Sequence, residues 1–144
     1  NKSRQDDIIK KLSSESIPKK LEFKRIGNKF FLDKTYGNLI DLNFSDFFSR
    51  NLVFQDYMII AKNIKIFVIR DINKFDENSK NIITRFISCI DVLYENKNIL
   101  SISTNVELDE IYSGKTNYEE FKRTISRLKE MGSQEYINEN LNNF

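Results

Sequence analysis

The chain has 144 residues, of which 40% are hydrophobic and 12% aromatic, and its 23 basic and 21 acidic residues give a net charge of +2. This composition is typical of a folded domain rather than a disordered segment, and the balanced charge argues against a nucleic-acid binder. The chain contains no histidine and one cysteine, Cys89, which excludes His-based catalysis, an internal disulfide and zinc sites built from Cys or His.

The first twenty residues are polar and carry only one weak apolar stripe, over residues 4–13. Serines and Pro18 follow and interrupt any helix. We therefore predict a linker or a short helix for residues 1–20. The chain begins at Asn1 rather than Met, so we expect it to be a segment of a longer protein.

Residues 21–44 have the pattern of β-strands. Apolar and polar residues alternate over 21–26, Gly27-Asn28 is a turn pair, and a second strand pattern covers 29–33. A third alternating run covers 38–44, so we predict a hairpin extended into a meander.

Two helices and a βαβ unit are predicted next. Asn43 or Ser45 can cap a helix that ends near Arg50, and a second helix covers 54–62. The β-branched run 64–70 predicts a buried strand, the apolar spacing over 79–95 predicts the longest helix, and 99–103 predicts another strand. Strand, helix and strand with short connections imply parallel strands and a right-handed crossover.

The C-terminal region is predicted to be helical. A short helix is expected over 107–112 and a longer one over 118–131, whereas residues 132–144 are expected to be a polar, fraying tail. The fold class is therefore α/β: an N-terminal β-hairpin or meander, a βαβ unit with parallel strands, and a C-terminal helical segment.

No phosphate-binding loop is present. The sequence contains neither Gly-x-x-x-x-Gly-Lys-Ser/Thr nor Gly-x-Gly-x-x-Gly, and it has four glycines in total. A triphosphate is held by consecutive backbone N–H groups that glycine allows to approach closely. We therefore predict no catalytic residues and no bound cofactor in this segment.

Two short patterns imitate parts of a nucleotide site. The apolar run ending in Asp71 resembles a Walker B strand, and Ser103-Thr104-Asn105 resembles a γ-phosphate sensor. Strand ends with capping residues give the same patterns, and we favour that interpretation because no phosphate loop accompanies them.

Arg85, Arg123 and Arg127 are the candidate contacts to a nucleotide or to a neighbouring subunit, because a guanidinium binds phosphate or carboxylate bidentately. For Arg85 the alternative is an internal salt bridge with Asp91 or Asp71, which we favour. Arg123 and Arg127 share one helix face and need an anion nearby. Glu119, Glu120 and Glu130 could supply it, and an external phosphate or a partner's carboxylate remains the alternative.

Two long motifs carry a resemblance to a known family. Arg85-Phe-Ile-Ser-Cys-Ile-Asp-Val-Leu-Tyr94 and Phe121-Lys-Arg-Thr-Ile-Ser-Arg-Leu-Lys-Glu-Met131 resemble, in order and spacing, the C-terminal region of the ZapE-type AAA+ ATPases of bacteria and their mitochondrial counterparts. The resemblance covers roughly residues 21–137 and makes 21–131 the C-terminal α/β module. The other matching residues are Asp46, Phe47, Asp56, Tyr57, Ala61, Leu108, Tyr112 and Tyr136.

The resemblance implies a role that the residues alone do not. Members of the ZapE-type family are ATPases that use ATP and Mg²⁺. They are linked to the bacterial division ring or to protein handling at the mitochondrial inner membrane, so the resemblance implies a location in the bacterial cytoplasm or the mitochondrial matrix. The resemblance also implies several partners: an N-terminal ATPase core of the same protein, further copies in a homo-oligomer, and a protein client such as a division-ring component. It implies peripheral association with a membrane as well, but no binding of nucleic acid.

Three hypotheses follow. In the first, the chain completes a ZapE-like ATPase subunit and makes subunit or client contacts, while an absent N-terminal part hydrolyses ATP. In the second, it is a freestanding, non-catalytic protein-binding domain. The third, an independent metal-dependent enzyme, ranks last because the chain has no histidine and no catalytic motif.

Overall fold

A computed structural model describes residues 2–12 and 17–141. Its helices and strands, in chain order, are α1 (Lys2–Leu12), β1 (Lys19–Arg25), β2 (Asn28–Tyr36), β3 (Leu39–Asn43), α2 (Phe44–Phe48), α3 (Phe54–Asn63), β4 (Ile66–Ile72), α4 (Lys80–Glu95), β5 (Ile99–Thr104), α5 (Tyr118–Met131) and α6 (Gln134–Asn140). Within the described residues, no helix has the length and apolar character needed to cross a membrane.

The five strands form one sheet in the order β1-β2-β3-β4-β5. β1, β2 and β3 pair antiparallel, while β3, β4 and β5 pair parallel. The predicted α/β class, the N-terminal meander and the β4–α4–β5 unit are thereby confirmed. The parallel pairing of β3 with β4 was not predicted, and it makes the segment from β3 through α2 and α3 to β4 a second crossover.

Helices cover both faces of the sheet. Two right-handed crossovers that advance in the same direction place α3 and α4 on one face. On the opposite face α1 contacts β3, β4 and β5, where Gln5 accepts a hydrogen bond of 2.7 Å from Ser101 and Asp6 pairs with Arg70 at 2.9 Å. Because both faces are covered, strand β4, which lies between β3 and β5, is apolar and buried from Ile66 to Ile69.

Aromatic side chains build the core on the α4 face. Phe86 of α4 is fully buried, and its ring centroid lies 5.4 Å from that of Phe48, 5.5 Å from that of Phe44 and 6.0 Å from that of Phe121. Edge-to-face and offset ring pairs stabilise a core beyond the apolar area they bury. Phe86 therefore joins α2, α4 and α5.

Three local predictions differ from the structure. The hairpin turn is Ile26-Gly27 rather than Gly27-Asn28, since Arg25 pairs with Asn28 and Gly27 takes the positive φ of 88°. Of the helix expected over 107–112, only a 3₁₀ turn at Leu108–Glu110 forms, because Tyr112 instead forms a β-bridge with Phe75.

The third difference concerns the tail. Residues expected to fray form α6, in which Tyr136 and Asn140 are buried. Ser133 caps the helix, and the hydroxyl of Tyr136 donates a 2.7 Å hydrogen bond to the carbonyl of Asn98. A buried aromatic ring with a satisfied hydroxyl therefore anchors this polar segment.

Asn98 satisfies the backbone where α3 meets β4. Its side-chain amide is fully buried and donates to the carbonyl oxygens of Ala61, Ile64 and Lys65 at 3.1, 2.8 and 3.2 Å. The backbone carbonyl of Asn98 receives the Tyr136 hydroxyl. Through its side chain and its backbone together, this one buried residue links α3, β4, β5 and α6.

Asp56 plays a similar part at the other end of α3. Its buried carboxylate accepts hydrogen bonds from Arg25 at 2.5 Å, from the Val53 backbone at 2.9 Å and from Asn28 at 3.3 Å. Burial opposes the charge of Asp56, but these bonds and the Arg25 charge outweigh it and hold the pKa of Asp56 below its usual 3.8. The β1–β2 turn is thereby fixed to the start of α3.

We predict that Asn98→Ala lowers the free energy of unfolding by about 2 kcal/mol, because the buried carbonyl of Ile64 loses its donor, whereas the carbonyls of Ala61 and Lys65 keep the donors Asn96 and Ile99. Urea denaturation measures this. Asn105→Ala, at an exposed loop position, is the control and should change stability by less than about 0.5 kcal/mol. Equal effects of the two substitutions would contradict the role given to Asn98.

We predict that Asp56→Asn costs about 3 kcal/mol near neutral pH, since it leaves the partly buried Arg25 without its counter-charge. The folded-state pKa of Asp56 is lowered, so its contribution is complete above the unfolded-state pKa and is lost as pH falls through the folded-state value. The stability difference between parent and variant should therefore shrink below pH ~4. A difference that stays constant through acid pH would contradict the ion pair, and exposed Asp33→Asn is the control.

Candidate functional site

The candidate site lies where α4 packs against α5. The apolar side of α5 consists of Phe121, Ile125, Leu128 and Met131, all buried at helical spacing. It faces the apolar side of α4, in which Phe86, Ile90 and Leu93 are fully buried. This packing brings the polar edges of the two helices side by side.

Arg127 is bound on this shared edge by three groups of α4. Its guanidinium donates a short hydrogen bond to Asp91, lies 3.8 Å from the Glu95 carboxylate, and stacks over the Tyr94 ring with its carbon 4.7 Å from the ring centroid. Its side chain is only 21% exposed. A guanidinium held by a carboxylate and an aromatic face is a structural contact with little freedom to reach a ligand.

Arg123 lies one turn earlier on α5 and shares the same carboxylate. Its Nη2 is 3.6 Å from the second oxygen of Asp91, and 53% of its side chain is exposed. Asp91 thus stands between two like charges that would otherwise repel one another. Of the two arginines, Arg123 is the one with its guanidinium open to the outside.

The anion beside the two arginines belongs to α4. Glu119, Glu120 and Glu130 of α5 were one of two predicted sources, beside an external phosphate or a partner's carboxylate, but Glu130 accepts hydrogen bonds of 2.9 and 3.0 Å from the Tyr94 hydroxyl, and Glu120 binds Asn117. The hydrogen bond to Glu130 raises the pKa of Tyr94 above its ordinary value of 10. One signal could have found Asp91: Asp91 and Glu95 repeat on α4 the four-residue spacing of Arg123 and Arg127 on α5.

Arg85 binds different partners. It donates to the backbone carbonyl of Phe48 at 3.0 Å and to the side chain of Asn51 at 3.3 Å, where the chain leaves α2. The salt bridge expected with Asp91 or Asp71 is not among its contacts, since Asp91 is occupied by Arg127 and Arg123. Arg85 also lines a surface cavity of about 700 Å³ at the start of α4, together with Ser79 and Lys80.

The residues that imitate a nucleotide site lie at the carboxyl ends of the parallel strands. Asp71 has a positive φ of 61°, its N–H donates to the Ser103 hydroxyl at 2.9 Å, and its carboxylate is 3.5 Å from the Asn43 amide. These contacts join the ends of β3, β4 and β5, in agreement with the strand-end interpretation.

The same residues border a cleft of about 1020 Å³ whose lining has five acidic and four basic side chains. Arg70 pairs there with Asp41 at 2.7 Å and with Asp6 at 2.9 Å. Burial alone would lower the pKa of Arg70, but the two carboxylates raise it. Among residues 2–12 and 17–141 there is no group of three or more carboxylate or thiol side chains arranged to hold a metal ion.

Comparison with known proteins gives two kinds of match. A family model described as AFG1-like ATPase matches residues 2–140. The chain is also 33% identical over 91 residues to an uncharacterized protein of Schizosaccharomyces pombe, which covers 63% of the chain and 20% of that protein. It is 34% identical over 83 residues to the cell division protein ZapE of Escherichia coli K12, covering 58% of the chain and 22% of ZapE.

These matches cover different shares of the chain and of its relatives. No solved structure matches the chain significantly. The chain spans about a fifth of the length of the curated relatives it matches. The family model, by contrast, covers almost every residue of the chain from α1 to α6. The chain belongs to the AFG1-like ATPase family.

Proposed function

We propose that this chain is the C-terminal module of a ZapE-like AAA+ ATPase and completes the ATPase subunit through contacts with the motor core, with neighbouring subunits or with a client protein. Another part of the protein binds ATP and Mg²⁺ and hydrolyses the ATP. Two facts support this: the chain matches about a fifth of its relatives' length, and its 144 residues include no phosphate-binding loop.

The proposal depends on the different exposure of the Arg123 and Arg127 side chains. Asp91 binds both, but Arg127 is enclosed by Asp91, Glu95 and Tyr94, whereas half of the Arg123 side chain is exposed. Arg123 is therefore the contact residue, reaching a carboxylate or a phosphate outside the module, and Arg127 is a positioning residue that holds Asp91 in place. Arg85, bound to backbone, stabilises the end of α2.

The same proposal includes the binding partners and the cellular location of the protein. The partners are the N-terminal ATPase core of the same protein, further copies in a homo-oligomer, and a protein client. One curated relative is called a cell division protein, which makes a division-ring component the first client to test. The proposed location is the cytoplasm for a bacterial protein and the matrix for a mitochondrial one.

The alternative is a freestanding protein-binding domain that never meets a nucleotide. It would use the same exposed Arg123 to hold a partner's carboxylate. The sequence of the full gene distinguishes the two hypotheses. A reading frame that encodes Gly-x-x-x-x-Gly-Lys-Thr upstream of Asn1 supports the ATPase module, whereas a start codon at Asn1 supports the freestanding domain.

We predict that replacing Arg123 affects activity or assembly, whereas replacing Arg127 affects stability. In the full-length ATPase, Arg123→Ala should reduce ATP turnover or subunit assembly by about tenfold or more, because a guanidinium aimed at a phosphate or a partner carboxylate is lost. The thermal midpoint of the 144-residue chain should stay unchanged, since an exposed ion pair contributes about 0–1 kcal/mol.

Arg127→Ala is the matched comparison. It should lower the stability of the 144-residue chain by about 2 kcal/mol, because Asp91 loses its closer partner and Tyr94 loses its stacked cation. Turnover and assembly that are unaffected by Arg123→Ala would reduce Arg123 to a surface ion pair and refute its contact role.

We predict that the 144-residue chain alone does not bind ATP. Its thermal midpoint should be the same with and without millimolar Mg-ATP, because binding to the folded state alone would raise it. A nucleotide-dependent rise would show that the triphosphate is held by this segment, contrary to the proposal.

A further inference from the structure

The tip of the β1–β2 hairpin presents an apolar side chain to solvent. Ile26, in the two-residue turn, is 100% exposed, although turns of this kind usually carry small or polar residues. Two more exposed apolar residues lie at the start of α3: Phe54 is 50% exposed and Val53 is 41% exposed.

One buried carboxylate joins these two segments. Asp56 is bound by Arg25 and Asn28, which flank the turn, and by the backbone N–H of Val53. The turn therefore cannot move independently of α3. The turn that carries Ile26 is thus tied through Asp56 to the segment that carries Val53 and Phe54, unlike apolar residues scattered singly over a surface.

Two exposed lysines flank this apolar tip. Lys24 and Lys29 are directly opposite one another on β1 and β2, next to the turn, and Lys24 also lies 3.3 Å from the Glu22 carboxylate. Like charges placed opposite one another destabilise a strand pair. The hairpin, residues 19–36, contains six basic and two acidic residues and so carries +4, whereas the whole chain carries +2 and the remainder therefore −2.

We propose that this hairpin tip, formed by residues 24–29 with Val53 and Phe54, binds the surface of an anionic lipid bilayer. Apolar side chains would enter the boundary between headgroups and acyl chains, and Lys24 and Lys29 would lie at the level of the lipid phosphates. The inference assigns a surface to the peripheral membrane contact that the family resemblance implies, and it does not depend on the proposed ATPase role.

The shape of the tip favours a bilayer over a protein segment. A peptide or a folded partner needs a groove or a flat area with pockets for its side chains. Ile26, Val53 and Phe54 line none of three cavities, of about 1020, 700 and 350 Å³, in the described part of the chain. A protruding apolar tip with a basic rim is a shape that a fluid bilayer can accommodate.

A tryptophan reporter tests insertion directly, because the chain contains no tryptophan. Ile26→Trp is mixed with phosphatidylcholine vesicles, with and without phosphatidylglycerol. Its fluorescence should shift to the blue with the anionic vesicles alone. Tyr118→Trp, at an exposed position at the start of α5, is the control and should not shift.

Vesicle co-sedimentation measures the contributions of charge and apolar contact. Each lysine near an anionic surface contributes about fivefold, so Lys24→Gln with Lys29→Gln should weaken binding by roughly twentyfold. Lys62→Gln with Lys74→Gln removes the same charge from exposed sites elsewhere and should leave binding within about twofold. Ile26→Ser should also weaken binding, while circular dichroism shows each variant folded.

Three results would overturn the proposal. The first is an unchanged Ile26→Trp spectrum with anionic vesicles. The second is equal loss of vesicle binding in the two lysine pairs, which would mean a non-specific charge effect. The third is binding to poly-glutamate without binding to vesicles, which would assign the tip to an acidic polypeptide.

Discussion

A single carboxylate, Asp91, binds two arginines of the neighbouring helix, and the candidate site depends on it. The contact forms because α4 and α5 bury complementary apolar sides, which brings Asp91 and Glu95 beside Arg123 and Arg127. One arginine is then enclosed and the other remains half exposed. Helix packing thereby determines which of two identical side chains is exposed.

The same principle recurs elsewhere in the fold, where one buried polar group joins several elements. Asn98 links α3, β4, β5 and α6, and Asp56 fixes the hairpin turn to α3. A buried polar group is stable only when its hydrogen bonds are satisfied, so each of these positions constrains the elements around it. The apolar core supplies most of the stabilisation, and these groups determine how the elements meet.

Local patterns predicted the elements better than their contacts. The bounds of α5 and the βαβ unit were evident because helical spacing and β-branched runs are local signals. The pairing of β3 with β4, the helix formed by the tail, and the partners of all three arginines were not predicted. Each depends on residues distant in sequence: Tyr136 orders the tail through Asn98, and Asp91 is 36 residues from Arg127.

A double-mutant cycle on the 144-residue chain tests the account most directly. It combines Asp91→Ala with Arg127→Ala, and separately with Arg123→Ala, and measures free energies of unfolding in urea. We predict a coupling of about 1–2 kcal/mol for Asp91 with Arg127 and less than about 0.5 kcal/mol for Asp91 with Arg123. Equal couplings, or the larger one at Arg123, would contradict the assignment of Arg127 as the positioning residue and Arg123 as the outward contact.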